Sequence, residues 1–150
     1  MNIIETIQTI RENQLDSIID INHIRERRVV INVIPEKLIE MARYLFKDLE
    51  CRFIIASALQ TKSGLEIYYH FSKDIIGLII NIKVLIPCDN AEIESLTDLF
   101  IGANWIEREI HELYGIKFLN HPNLEKLISE GNWSKDYYPY RKENKDKPLP

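Results

Sequence analysis

Cysteine is nearly absent from this chain of 150 residues: Cys51 and Cys88 lie far apart and neither belongs to a C-x-x-C pair. That spacing excludes zinc knuckles and iron–sulfur binding loops, which need clustered thiolates, and it suits a reducing cytoplasm. No Gly/Ser-rich or Pro-rich linker divides the chain before its last dozen residues, so a single core is the expectation. An excess of basic residues is missing too. The formal net charge is -4, whereas nucleic-acid binders concentrate Lys and Arg to displace counterions, so no nucleic-acid partner is expected. The longest apolar run, "IIGLIINIKVLIP", is broken by Asn81 and Lys83. It falls short of the roughly 20 residues of a spanning helix, so the chain is not expected to cross a membrane itself. Glu5, Arg11 and Glu12 interrupt the N-terminal stretch where a secretory leader would be continuously apolar.

Catalytic signatures are also lacking. The chain has no G-x-S-x-G elbow, no P-loop, no dinucleotide fingerprint and no Cys beside an evident base. His111, Glu112, Glu109 and His121 lie close in sequence, but "HELYG" lacks the second His of H-E-x-x-H, and His121 stands beyond a helix stop. Glu107 and Glu109 are two residues apart, where helical side chains diverge, which excludes shared acid/base work. His23 and His70 are isolated among strand residues and read as structural.

What is present is a regular alternation of elements. Ile3, Ile7 and Ile10 recur at helical spacing and predict a short helix ending near Asn13. "DSIIDINHI" and "RRVVINVI" are rich in β-branched residues and flank the charged corner "RERR", which predicts a hairpin. Pro35 suits a helix's first turn, and Leu38, Met41, Ala42, Leu45 and Leu49 share one face of the segment after it. Three period-two segments follow, centred on Ile55, Ile67 and Ile82; short Gly-containing joints between them predict an antiparallel meander. After Pro87, Asp89 and Glu92 have capping-box spacing and predict a helix through Ile93, Leu96 and Phe100. Gly102 interrupts it, and a second helix runs from about Ala103 to Tyr114, stopped by Gly115. The expected fold class is α+β, a mostly antiparallel sheet with helices packed on one face. One such domain is expected over residues 1–132, followed by an extended C-terminal docking tail over residues 133–150.

The richest stretch is "GANWIEREIHELYGIKFLNHPNLEKLI", which begins at Gly102. At about 100° per residue, Ala103, Ile106, Ile110 and Leu113 share the side expected to face the core, while Trp105, Arg108 and Glu112 fall opposite. A Trp beside an Arg and an acid is the composition of interface centres. The alternative is that Trp105 packs under the chain's own tail, with Arg108 and Glu112 forming an ordinary i,i+4 pair. The tail itself, "WSKDYYPYRKENKDKPLP", is too polar to build a core, so it is expected to gain order only on a partner.

These residues resemble the thirty-kilodalton subunit family of NADH dehydrogenase, shared by respiratory complex I and membrane-bound energy-converting [NiFe] hydrogenases. The likeness rests on Trp105, Glu107, Arg108, Glu109, Glu112, Tyr114, Gly115, Ile116, Phe118, His121 and Pro122, followed by Pro139, Arg141 and Lys142 in "YPYRK". Asn120 stands where the family usually has Gly, and Asn123 where it has Asp. The resemblance implies a hydrophilic subunit with no catalytic residues and no cofactor or metal of its own. It would pack on a large catalytic subunit beside iron–sulfur subunits, on the cytoplasmic side of the cell membrane. The interface residues it implies are Trp105, Glu107, Arg108, Glu109, Glu112, His121, Pro122, Tyr140, Arg141 and Lys142. The [NiFe] centre and iron–sulfur clusters would lie in partner subunits. Only eleven residues follow Pro139, and that compactness favours a ferredoxin-linked, proton-translocating hydrogenase-type complex. The thirty-kilodalton subunit of an NADH (or other donor):quinone oxidoreductase is the alternative, and a stand-alone structural interaction domain is a third.

Overall fold

The computed structural model describes residues 1–145 and 147. Helix α1, Ile3–Asn13, buries Ile7 and Ile10, and its first turn is closed by a capping box. In that box the Asn2 side chain accepts from Glu5 N at 2.9 Å while Glu5 accepts from Asn2 N at 2.9 Å, so two otherwise orphaned donors are satisfied. Strands β1, Ile18–Arg25, and β2, Arg28–Val33, form the expected antiparallel hairpin, with Glu26 and Arg27 at its corner.

The next helix, α2, changes pitch along its length. Pro35–Lys37 forms a tight 3-10 turn, Leu38–Arg43 is α-helical and Tyr44–Asp48 widens to a π turn. The Pro at the start has no N–H to orphan, and Leu38, Met41, Ala42 and Leu45 are fully buried along one stripe. Strands β3, Arg52–Gln60, β4, Leu65–Lys73, and β5, Leu78–Ile86, then follow one another through short turns. They are sheet neighbours in the order β1-β2-β5-β4-β3. The sheet is mostly antiparallel and the fold is α+β, but β2 pairs with β5 in parallel, with Val29 opposite Ile80 and Ile31 opposite Ile82.

The helix expected after Pro87 does not form. Asn90 adopts φ 56°, a left-handed conformation that an α-helix excludes, and Glu92–Glu94 is instead strand β6. It pairs in parallel with β7, Lys117–Leu119, which aligns Ile93 with Phe118. The helix α3, Ala103–Tyr114, begins after Gly102 as predicted.

The chain forms two compact units. The first comprises Met1–Ile55 and Tyr68–Val84, and its core gathers Ile10, Leu38, Met41 and Leu45 with Val29, Ile31, Phe71, Ile80 and Ile82. The second comprises Ala56–Ile67 and Leu85–Pro150 and buries Leu65, Ile67, Leu96, Phe100, Ile110, Ile116 and Phe118. Among the described residues, no helix is long and apolar enough to cross a membrane.

Candidate functional site: the α3 face

Helix α3 ends as its sequence dictates. Gly115 sits at φ 72°, and its N–H donates to His111 O at 2.8 Å, the left-handed stop that a residue without Cβ permits. A Cβ at Gly115 would also lie 2.6 Å from the Tyr138 ring. Gly115→Ala is therefore expected to lower stability by about 2 kcal/mol, adding backbone strain to overlap, measured as a drop in the chemical unfolding midpoint. Asn120 likewise takes φ 63°, a left-handed position that Asn tolerates through its short polar side chain.

Two carboxylates of α3 are buried and fully engaged. Glu107 accepts from Ser95 Oγ at 2.6 Å and from Leu96 N at 2.7 Å, tying the helix to the segment after β6. Burial pushes its carboxyl up to about 7, against the opposing pull of those two hydrogen bonds. His121 approaches the same carboxylate at 3.9 Å, but its Nε2 donates to Asn104 O at 3.1 Å while Nδ1 accepts from Asn123 N at 3.1 Å. Glu112, expected on the outer face, is 2% exposed. It accepts from Leu127 N at 2.7 Å and Ser129 Oγ at 2.9 Å, because the segment after Pro122 folds over that side of the helix.

Arg108 does not pair with Glu112. Its Nε donates to Glu125 O at 3.0 Å and its Nη2 to Lys126 O at 2.9 Å, so the guanidinium fork holds the same returning segment. His111 donates through Nδ1 to Ile116 O at 2.8 Å, and burial holds its pKa below the usual imidazole range. Arg141, expected at the partner interface, is 8% exposed and turned inward. It donates from Nη1 and Nη2 to Cys88 O, at 3.1 Å each, and from Nε to Tyr114 O. Tyr140 stays 59% exposed; its ring meets Tyr114 edge-on at 5.6 Å. Lys142 is exposed, and its backbone N–H donates to Gln60 Oε1 at 2.7 Å. Glu109 is partly exposed and Pro122 exposed.

Trp105, by contrast, is 70% exposed and is not covered by the described residues of the tail. Ile101, one turn earlier, is 92% exposed, which leaves an apolar pair projecting from the start of α3. Among the expected interface residues, then, the structure turns Glu107, Glu112 and Arg141 inward as braces and leaves Trp105, Pro122, Tyr140 and Lys142 facing solvent. The buried role of Glu107 had a signal in the sequence, since it stands four residues after Ala103 and three before Ile110 on one helical stripe. Ser95, Ser129 and Cys88 O, their partners, had none, because they meet α3 and the tail only in three dimensions.

Among the described residues no three His, Cys, Asp or Glu side chains converge as a metal site. Burial pushes the Cys51 thiol up to about 11, so it stays protonated and a poor nucleophile. The charged groups Glu107, Arg108 and Glu112 brace the chain's own segments.

The sequence pattern of the respiratory-chain NADH dehydrogenase 30 Kd subunit matches residues 31–148, most of the chain. The protein belongs to that family. It is 34% identical over 119 residues to the C subunit of F(420)H(2) dehydrogenase from Methanosarcina mazei, a match covering 73% of this chain and 75% of the relative. It is 33% identical over 119 residues to the C subunit of NADH-quinone oxidoreductase from a Roseiflexus species, covering 75% of this chain and 67% of that one. The fold recurs in a chain of the membrane-bound sulfane sulfur reductase, an archaeal respiratory membrane complex, with TM-score 0.77 and 24% identity over 93% of this chain and 83% of that chain. It recurs too in a trypsin-resistant fragment of Nqo5, with TM-score 0.66 and 22% identity, covering 83% of this chain and all of the fragment. Family relatives are thus subunits of multisubunit redox complexes.

Proposed function

We infer that this family member is a cofactor-free subunit of a membrane-associated redox complex, docking through the α3 face on the large catalytic subunit beside iron–sulfur subunits. The observation that carries the reading is the division of labour on α3. Glu107, Arg108 and Glu112 are spent on the chain's own segments, while Ile101 and Trp105 stay exposed at 92% and 70%. An exposed Trp has no internal reason to stand there, and truncating a central interface Trp weakens binding by about 2 kcal/mol or more. Trp105→Ala is expected to weaken association with the complex roughly 30-fold while leaving the unfolding midpoint of the chain unchanged.

The names of the relatives support a dehydrogenase that passes electrons from a reduced carrier toward a quinone or its equivalent. The energy-converting [NiFe] hydrogenase type, ferredoxin-linked and proton-translocating, belongs to the same class of complex, and the location is the cytoplasmic side of the membrane. Affinity purification of the tagged chain from native membranes tests all of this. Co-purifying redox subunits with iron but no nickel, and oxidation of a reduced carrier, would select the dehydrogenase; stoichiometric nickel would select the hydrogenase. Iron or nickel at one per isolated chain, or turnover by that chain alone, would overturn the cofactor-free reading.

A further inference from the structure

The hairpin corner of the first unit carries a concentration of charge that the chain itself does not neutralise. Arg25 and Arg28 stand directly opposite each other in the β1–β2 register, a like-charge cross-strand pair that destabilises a hairpin. Arg25, Arg27 and Arg28 are all exposed, and none of their guanidinium groups has a hydrogen bond or ion pair with a described residue. Glu26, also exposed, is the one carboxylate in the corner itself. Asp74, across the way, is already held by Arg52 at 2.9 Å and 3.0 Å and by Ser72, so its charge is not available to the arginines. Three unpaired guanidiniums in a chain of net charge -4 are a local inversion of sign.

The same corner borders a groove of about 750 Å3 whose apolar surface comes from Ile3, Ile4, Ile7 and Ile75. Ile4 and Ile75 are 81% and 87% exposed, and Arg27 lies beside Gly77, 3.2 Å from where a Cβ there would stand. Of the three arginines Arg27 lines this concavity, beside Glu26 and Asp74, while Arg25 and Arg28 stand next to it at the end of the hairpin. A bilayer is the poorer occupant, because a flat anionic surface lying over α1 would also meet the exposed Glu5 and Glu12, neither of which lines the groove that a single segment would fill.

We propose that this groove docks an acidic amphipathic segment of another subunit of the same complex. Its apolar side chains would seat on the isoleucines, and its carboxylates would lie against Arg25, Arg27 and Arg28. Carboxylates match the guanidinium fork, and their arrival would relieve the Arg25–Arg28 repulsion, so the binding gains in charge complementarity as well as in apolar area. The proposal rests on the chain being a subunit of a redox complex.

Photo-crosslinking in the assembled complex tests it. A benzophenone amino acid is placed at Ile75 in the tagged full chain, and separately at Trp105, and the captured peptides are identified by mass spectrometry. The expected capture at 75 is one segment from a subunit of the same complex, with at least two Asp or Glu beside apolar residues. Arg25→Glu with Arg27→Glu should reduce that capture roughly tenfold or more while leaving capture from position 105 unchanged. Should the double variant melt early, Arg27→Gln is read in the same way. Capture of lipid, of a second copy, of a segment without carboxylates, or of nothing at 75 would overturn the proposal, as would capture insensitive to both variants. Capture at 105 alone sinks the groove but leaves the docking role; a tagged chain that brings down no redox subunit sinks the docking role itself.

Discussion

Arg141→Ala is expected to lower the stability of the isolated chain by about 3 kcal/mol, or roughly 10 °C in unfolding midpoint. The guanidinium is 8% exposed and supplies donors to Tyr114 O and Cys88 O; removing it strips two carbonyls of their partners in a region that excludes water. Arg141→Lys should recover only part of the loss, because an ammonium cannot reproduce a fork that spans two acceptors. Deleting residues 134–150 should do at least as much damage, since it also removes Tyr138 from above Gly115. A tail that gains order only on a partner, as its polar sequence suggests, would instead leave the midpoint nearly unchanged. A thermal melt of the three variants decides, and a truncated chain melting with the wild type would return the tail to the role of a solvated end.

Glu107 should make stability depend on pH in an unusual direction. Its carboxyl is raised by burial from an ordinary value near 4.5 to about 7, so between these values the folded chain retains a proton that the unfolded chain has lost. The stabilisation is complete below about 4.5 and is lost as pH rises through about 7, a total of order 3 kcal/mol. His111 works the other way. Its pKa is depressed by burial, so its contribution is present above the ordinary imidazole range and falls away as pH drops below it. The difference between wild type and Glu107→Gln isolates the carboxyl, because glutamine keeps an acceptor for Leu96 N and cannot ionise. Denaturant midpoints of the two proteins should diverge as pH rises from about 5 to 8, the wild type losing ground; parallel curves would show that Glu107 is ionised in the fold.

Local pattern determined a good part of this protein by itself. The stripe Ile3, Ile7 and Ile10, the corner at Glu26 and Arg27, the period-two runs of β3 to β5 and the stop at Gly115 are all short-range consequences of side-chain spacing and backbone freedom, and all are in the structure. The motif around Trp105 to Pro122 likewise pointed to the family. Failures came where a distant partner decided. Asp89 to Glu92 reads as a helix cap, yet pairing of Ile93 with Phe118 and the left-handed Asn90 make it a strand. The parallel pairing of β2 with β5 joins residues about fifty positions apart, and no local signal encodes it. A helical wheel placed Glu112 outside because it knows one helix; the returning residues Leu127 to Ser129 put an inside there. Arg141 shows the same limit, for a charge in a polar tail looks solvated until two unpaired carbonyls, brought together from residues 88 and 114, supply its acceptors. Tertiary structure alone decided which charges brace the fold and that Trp105 stays exposed rather than packing under the tail's described residues, because a polar group's burial depends on whether the rest of the chain can satisfy it.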